Sequence, residues 1–273
     1  MSAYTAWTPD DARHSIAVPG TADDKYSRGV LGMVTGSTRF PGAAVLGVEA
    51  ALHTGLGMVR YLGPTEVGTL VLQRRPEIVL GDGRVQAWLL GSGIPADDRT
   101  AETTQQLKSA LAQSVPVVLD AGGLDLVGEA TGPVVITPHH RELARLLEAT
   151  AEEVSGDPGA WASRAAEQLG VTVLLKGNFS YVAGVDGTRL MIPGAPAWLA
   201  TAGTGDALCG ILGALVATHA ELVATDAAAL ARLAASACVL HALAAQRAGA
   251  GGPFTVLELA GAVSGIIASL LAR

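Results

Sequence analysis

The sequence predicts a three-layer α/β fold, helix on sheet on helix, with a mostly parallel sheet and an antiparallel hairpin at one edge. Three observations carry that expectation: short apolar β-rich runs that do not alternate, helical patterns lying between several of them, and a C-terminal stretch that is almost wholly helical. Strands buried on both faces read as continuous apolar runs. Strand alternating with helix implies parallel strands joined by right-handed crossovers.

Taken in order, the apolar runs place strands at Val30–Thr35, Met58–Tyr61, Ile78–Leu80, Ala87–Leu90, Val117–Leu119, Val134–Thr137 and Thr172–Lys176. Helical spacing places helices at Ala43–His53, Arg99–Ala112, Arg141–Glu148 and Trp161–Leu169. Between Thr172 and Ile192 the pattern changes. Two β runs meet after Lys176-Gly177, and the turn Val185-Asp186-Gly187-Thr188 leads to a third, Arg189–Ile192. Asp-Gly between β-prone runs is a strong hairpin signal, so antiparallel pairing is expected there. From Gly203 onward the helices are Gly203–Thr218, Asp226–Ala248 and Thr255–Leu271. There is no internal repeat and no composition break that would mark a linker.

Composition narrows the function classes. The 273 residues are 49% hydrophobic, with 34 glycines and 13 prolines, a globular and core-forming balance. A net charge of −7 and a pI near 5.3 argue against nucleic-acid binding, which needs a basic face. Cys209 and Cys238 lie in apolar stretches without CxxC spacing, so neither a disulfide scaffold nor a zinc site is expected, and the cytoplasm is the expected compartment. The first twenty residues contain no apolar core of a signal peptide. Mean hydropathy is positive, +0.39. The longest apolar runs, around Ala207–Ala217 and Ala227–Leu243, are nevertheless too short or are broken by Arg232, so they read as buried helices and no membrane partner is expected.

Six places break core logic. In Thr201-Ala202-Gly203-Thr204-Gly205-Asp206 a Gly/Thr-rich turn opens into a long apolar helix, with Asp206 in its first turn. Free amides at such a start bind anions, and a carboxylate beside them suits proton removal from a hydroxyl that attacks a phosphate. The competing reading is ordinary capping, Thr204 as the cap and Asp206 as a dipole partner. Lys176 ends an apolar strand before Gly177, Asn178, Phe179 and Ser180, placed either to meet a nucleotide or to snorkel into water. His139 and Glu142 stand three apart where a strand ends at Pro138 and a helix begins. Both can face the crevice beyond the strand ends, or serve as a loop residue and a first-turn acid. Small residues close two more strands, at Gly36–Ala44 and at Gly91-Ser92-Gly93, and Asp120 follows a third. Neither a GxGxxG turn after the first strand nor a GxxxxGK[ST] loop is present, which disfavours Rossmann and P-loop enzymes.

In order along the chain, the segments GSxxFPGAA (Gly36–Ala44), LGSG (ending at Gly93), VVLDAGGL (Val117–Leu124), ITPHHRE (Ile136–Glu142), LLKGNFS (Leu174–Ser180), TAGTGDALCG (Thr201–Gly210) and LHALA (Leu240–Ala244) resemble the ADP/ATP-dependent NAD(P)H-hydrate dehydratases of the ribokinase-like superfamily. The similarity runs from about Lys25 to the C-terminus, implying a dehydratase domain over residues 25–273 and a tail, flexible or packed on a neighbour, over residues 1–24. A separate epimerase domain, which precedes this one in two-function members, is not expected in this chain.

The resemblance implies a repair reaction. Hydrated NADH or NADPH, in its S form, carries a hydroxyl at C6 of the nicotinamide ring; a nucleotide phosphorylates it, and loss of phosphate restores the dihydropyridine. By position, Asp206 becomes the catalytic base and a substrate contact. Gly203, Thr204 and Gly205 become the anion hole, with Gly205 also near the AMP moiety. Lys176, Gly177, Asn178, Phe179 and Ser180 line the AMP site, and Ala43, Gly93 and His139 contact the hydrated dinucleotide. Glu142 acts on Mg²⁺, through its waters. ADP is the expected co-substrate, ATP the other candidate, and a homotetramer the expected assembly. Two departures from the family pattern are Ala202 with Thr204, where Gly and Ser are frequent, and Ser92, where Pro is frequent. The rival function is a small-molecule kinase of the same fold, acting on a hydroxymethyl group of a vitamin precursor.

Overall fold

The structure, a computed structural model, describes residues 3–273. Its strands are β1 (Thr5–Ala6), β2 (Val30–Val34), β3 (Met58–Tyr61), β4 (Val79–Leu80), β5 (Ala87–Leu90), β6 (Val117–Leu119), β7 (Val134–Ile136), β8 (Thr172–Leu175), β9 (Ser180–Ala183) and β10 (Arg189–Ile192). The helices are α1 (Pro9–Arg13), α2 (Gly42–Thr54), α3 (Thr65–Arg74), α4 (Ala101–Leu111), α5 (His140–Leu146), α6 (Ala151–Gly156), α7 (Pro158–Leu169), α8 (Thr204–Thr218), α9 (Ala220–Thr225), α10 (Ala229–Gly249) and α11 (Val256–Leu271).

The strands form one sheet in the order β1-β10-β9-β8-β7-β6-β5-β2-β3-β4. From β4 through to β8 every pairing is parallel, whereas β8–β9 and β9–β10 are antiparallel, as the Asp-Gly turn predicts. The hairpin is not the last element at that edge. Thr5 and Ala6 pair in parallel with Leu190 and Met191, extending the sheet by one short strand. The N-terminal segment expected as a tail therefore includes an edge strand and a docked helix. Ala12 of α1 is fully buried, and the Trp7 indole donates to Ser236 Oγ on α10 at 3.0 Å.

Alternate residues of the central strands feed opposite faces. Leu31, Met33, Leu89, Val118, Val135 and Leu174 pack with α2, α8, α10 and α11; Val30, Val34, Leu90, Leu119, Ile136 and Leu175 pack with α4, α5 and α7. Both faces being covered is why these strands carry no polar alternation. The helix α10 is long and apolar enough to span a bilayer by length and composition, but 83% of its apolar window is buried inside the protein. Helices α2 and α8 meet almost backbone to backbone: a Cβ at Gly210 would lie 2.2 Å from the Gly47 carbonyl oxygen. That contact locks α8 against α2 on one face of the sheet. The chain runs outward from β2 to β3 and β4, then returns to lay β5 on the other flank of β2. Such a switch of direction opens a crevice beyond the strands' carboxyl ends, where ligands of open α/β sheets bind.

Candidate active site

At the switch point the two small-residue loops close on each other. Gly36 N donates to Ser92 O at 2.7 Å, and a Cβ at Gly93 would fall 2.3 Å from Ala43 Cβ. With φ of +68°, Gly93 holds a conformation that side chains resist as well. Gly93 opens onto a cleft of ≈ 800 Å³, walled also by Phe40, Asp97, Asp125, Glu142 and Arg145.

Glu142 and His139 form a reciprocal cap at the start of α5. His139 N donates to Glu142 Oε2 at 2.8 Å, and Glu142 N donates to His139 Nδ1 at 3.2 Å. Glu142 is thus the first-turn acid of α5, with His139 its cap rather than a loop residue, and Glu142 also lines the cleft, its Oε1 lying 3.5 Å from His139 Nε2. Among the described residues no cluster of three or more His, Cys, Asp or Glu could hold a metal ion. A single cleft carboxylate matches Mg²⁺, which keeps most of its waters and takes phosphate oxygens in place of a protein cage.

His139 also joins the second half of the site. Its backbone bridges to Lys176, and Lys176 N donates to Pro138 O at 2.8 Å. The Lys176 side chain turns inward onto a buried carboxylate. Its Nζ donates to Asp120 Oδ1 at 2.7 Å, while Thr137 Oγ1 donates to the same oxygen at 2.7 Å and Ser92 Oγ to Oδ2 at 2.9 Å. Burial alone would raise the Asp120 carboxyl, but the Lys176 ammonium and the two hydroxyls outweigh it and hold it below the usual carboxylate range. Burial likewise opposes the charge on Lys176, and Asp120 more than offsets it, so the ammonium titrates above its ordinary value. Lysine snorkelling into bulk water is not what happens here.

The ammonium lies beside the start of α8, 3.7 Å from where a Gly205 Cβ would stand. The N-cap of α8 is Gly203, at φ +93°, and no side chain caps it. Thr204, the cap suggested by sequence, instead folds the preceding turn, its hydroxyl donating to Leu199 O and Thr201 O, each at 2.9 Å. Among the described residues the Gly205 and Asp206 amides make no hydrogen bond. An uncapped helix start beside an ammonium has the charge and the free donors that suit an anion. Asp206, half-buried in that same turn, has its carboxyl raised to about 6, first by burial and then by the Asp120 charge, with Lys176 opposing.

A small pocket of ≈ 130 Å³ adjoins this turn, lined by Lys176, Gly177, Asn178, Ser180, Thr204 and Gly205 together with residues from β10 and α10. Phe179 stands apart from that lining, 47% exposed. Asn178 serves its backbone, whose carbonyl accepts from Ala195 N at 3.0 Å. The structure thus gathers the Lys176 segment and the Gly203–Asp206 turn at one pocket, Gly93 and Glu142 at the larger cleft, and Ala43 and His139 at the seams between loops. Sequence reasoning missed the α10 wall, Cys238 and His241, and the bond tying Asp120 to Lys176. A histidine inside an otherwise apolar helical run was the available signal for the first.

Residues 31–258 match the family model described as NAD(P)H-hydrate dehydratase. The chain is 43% identical over 214 residues to the bifunctional NAD(P)H-hydrate repair enzyme Nnr of Mycobacterium tuberculosis, covering 74% of this chain and 43% of that protein. It therefore spans less than half the length of that relative. It is 29% identical over 230 residues to the ADP-dependent (S)-NAD(P)H-hydrate dehydratase of Bacillus subtilis, covering 79% of this chain and 82% of the other. A crystal structure of the Bacillus subtilis ADP/ATP-dependent NAD(P)H-hydrate dehydratase, co-crystallized with ATP/Mg²⁺, superposes with a TM-score of 0.86 at 25% identity, covering 98% of this chain and 99% of that one.

Proposed function

Because the chain belongs to the NAD(P)H-hydrate dehydratase family, we propose that it repairs hydrated NADH and NADPH, using a nucleotide, ADP before ATP, to dehydrate their S form. The observation that carries this reading is the uncapped start of α8, with Asp206 on one side and the Lys176 ammonium on the other. That geometry supplies the two things the reaction needs at one point: an acceptor for a hydroxyl proton and donors for the phosphoryl oxygens.

In this mechanism Asp206 takes the proton of the C6 hydroxyl as its oxygen attacks the terminal phosphorus of ADP, and AMP leaves. The free amides at the start of α8, with Gly205 foremost since the Thr204 amide already bonds to Thr201 O, hold together with Lys176 the charge that develops on the phosphoryl oxygens. Lys176, Gly177, Asn178 and Ser180 border the nucleotide. Ala43, Gly93 and His139 shape the other wall, against the hydrated dinucleotide. The ring-nitrogen lone pair then expels phosphate from C6 while a proton leaves C5, which regenerates the dihydronicotinamide. Asp120 does not reach the reacting atoms in this scheme; it anchors Lys176. Glu142 would hold Mg²⁺ through water, and the ion would supply charge neutralisation for the transferred group. We further propose a cytoplasmic homotetramer.

The test is direct. Hydrated NADH is incubated with the protein, Mg²⁺ and either ADP or ATP, and the near-ultraviolet absorbance of the dihydronicotinamide ring is followed. Its return only when a nucleotide is present supports the reading; no return with either nucleotide removes it.

A further inference from the structure

Helix α10 passes behind the small pocket, and its residues there are apolar except one. His241 lines the pocket beside Cys238 and Ala242, and it is 7% exposed. Its Nε2 is buried without a hydrogen-bond partner. Among the described residues only Thr35 Oγ1 and Arg60 Nε share that condition, and neither residue lines this pocket. Buried polar groups are almost always paired, so a ring nitrogen left unpaired on a residue that lines a pocket invites a partner that enters that pocket.

The chemistry of that partner is constrained. Burial, the largest influence, pushes the imidazole down to about 4; Lys176 pushes the same way, and the Thr204 backbone only partly opposes them. The ring is therefore neutral near pH 7, with one nitrogen a donor and the other an acceptor. A neutral ring offers no charge to a phosphate, which already has Lys176 and the α8 amides. The remaining walls, Ile192, Ala195, Leu199 and Leu208, are apolar and suit the face of a base or a sugar.

We propose that His241 reads the nucleoside of the co-substrate, its ring nitrogen hydrogen-bonding to a base edge or a ribose hydroxyl when the nucleotide enters. The inference rests on the nucleotide reading of this pocket given above. It divides the pocket into a charged end for phosphate and an apolar end, keyed by one imidazole, for the nucleoside.

Steady-state repair kinetics of the full chain test it, comparing His241→Leu, which keeps bulk but removes both nitrogens, with His241→Gln, which restores a polar head. The KM for ADP is expected to rise about 5–20-fold in the leucine variant and to recover in part in the glutamine variant. The kcat at saturating ADP and the KM for hydrated NADH stay within about twofold of wild type. A loss seen with ADP but not with GDP marks the base edge; one absent with 2′-deoxy-ADP marks the ribose. An unchanged KM for ADP in both variants overturns the inference, as does a fall in kcat with KM for ADP unmoved. Should the leucine variant fold poorly, His241→Ala takes its place: a raised KM for ADP at near wild-type kcat supports His241, and an unmoved KM for ADP refutes it. Wild-type protein without any nucleotide-dependent repair overturns the nucleotide reading itself, a result distinct from a silent His241.

Discussion

Replacing Asp206 with asparagine should make the protein more stable and nearly inactive at once, and the two effects should share one pH dependence. The carboxyl is raised from 3.8 to about 6 because burial and the neighbouring Asp120 charge disfavour its ionised form. A rise of that size corresponds to about 3 kcal/mol of disfavoured ionisation in the folded state. Asp206 keeps some solvent contact, so the realised cost is smaller, about 1–2 kcal/mol. The cost is absent below the unfolded-state value, grows as pH rises, and is complete above about 6. Asp206→Asn is neutral and nearly isosteric, so it should gain about 1–2 kcal/mol over wild type at pH 8, a gain that disappears by pH 3.5. Urea denaturation of both proteins across that range measures it. Turnover of the variant should drop ~10²–10⁴-fold at neutral pH, and wild-type turnover should fall on the acid side with a midpoint near the Asp206 value. Equal stability at both pH extremes would refute the burial argument; wild-type turnover in the variant would remove Asp206 from the chemistry.

Three further outcomes follow from the same geometry. Asp120→Asn leaves the Lys176 ammonium without its counter-charge, and the loss in denaturation experiments should sit toward the lower end of about 3–5 kcal/mol, since Lys176 retains 19% side-chain exposure. Gly205→Val meets only the far end of Lys176, so the variant should fold; the side chain fills the anion site, and turnover should fall about 10²–10³-fold while the melting temperature stays near wild type. Gly93→Ala drives a methyl to within 2.3 Å of Ala43 Cβ, and repair activity should collapse; adding Ala43→Gly should restore part of it, and additive losses in the double variant would contradict a direct contact.

The parallel core of the fold was legible because β2, β5, β6, β7 and β8 are buried on both faces, which writes itself as unbroken apolar runs. The elements that escaped are short or lie at the periphery. Strand β1 has two exposed residues and owes its existence to pairing with β10. Helices α6 and α9 have six residues each, too few for a periodic signal. Helix α7 starts at Pro158, capped by Asp157, ahead of the apolar pattern that announces it at Trp161. In the site, residues carried by local motifs were legible: the Gly203–Asp206 turn, the Lys176 segment, and the His139–Glu142 pair. What was not legible depends on tertiary contact. Asp120 and Lys176 are 56 positions apart, and only the sheet brings them to one ion pair. His241 joins the pocket because α10 is packed behind α8, a relation that no spacing in the sequence encodes.

The most direct test of the central claim is product stoichiometry in a single turnover, with hydrated NADH, ADP and Mg²⁺ and enzyme in excess. The wild type should release AMP, inorganic phosphate and NADH in equal amounts, and Asp206→Asn none of the three above background. NADH formed without AMP, or AMP and phosphate formed without NADH, would contradict the claim.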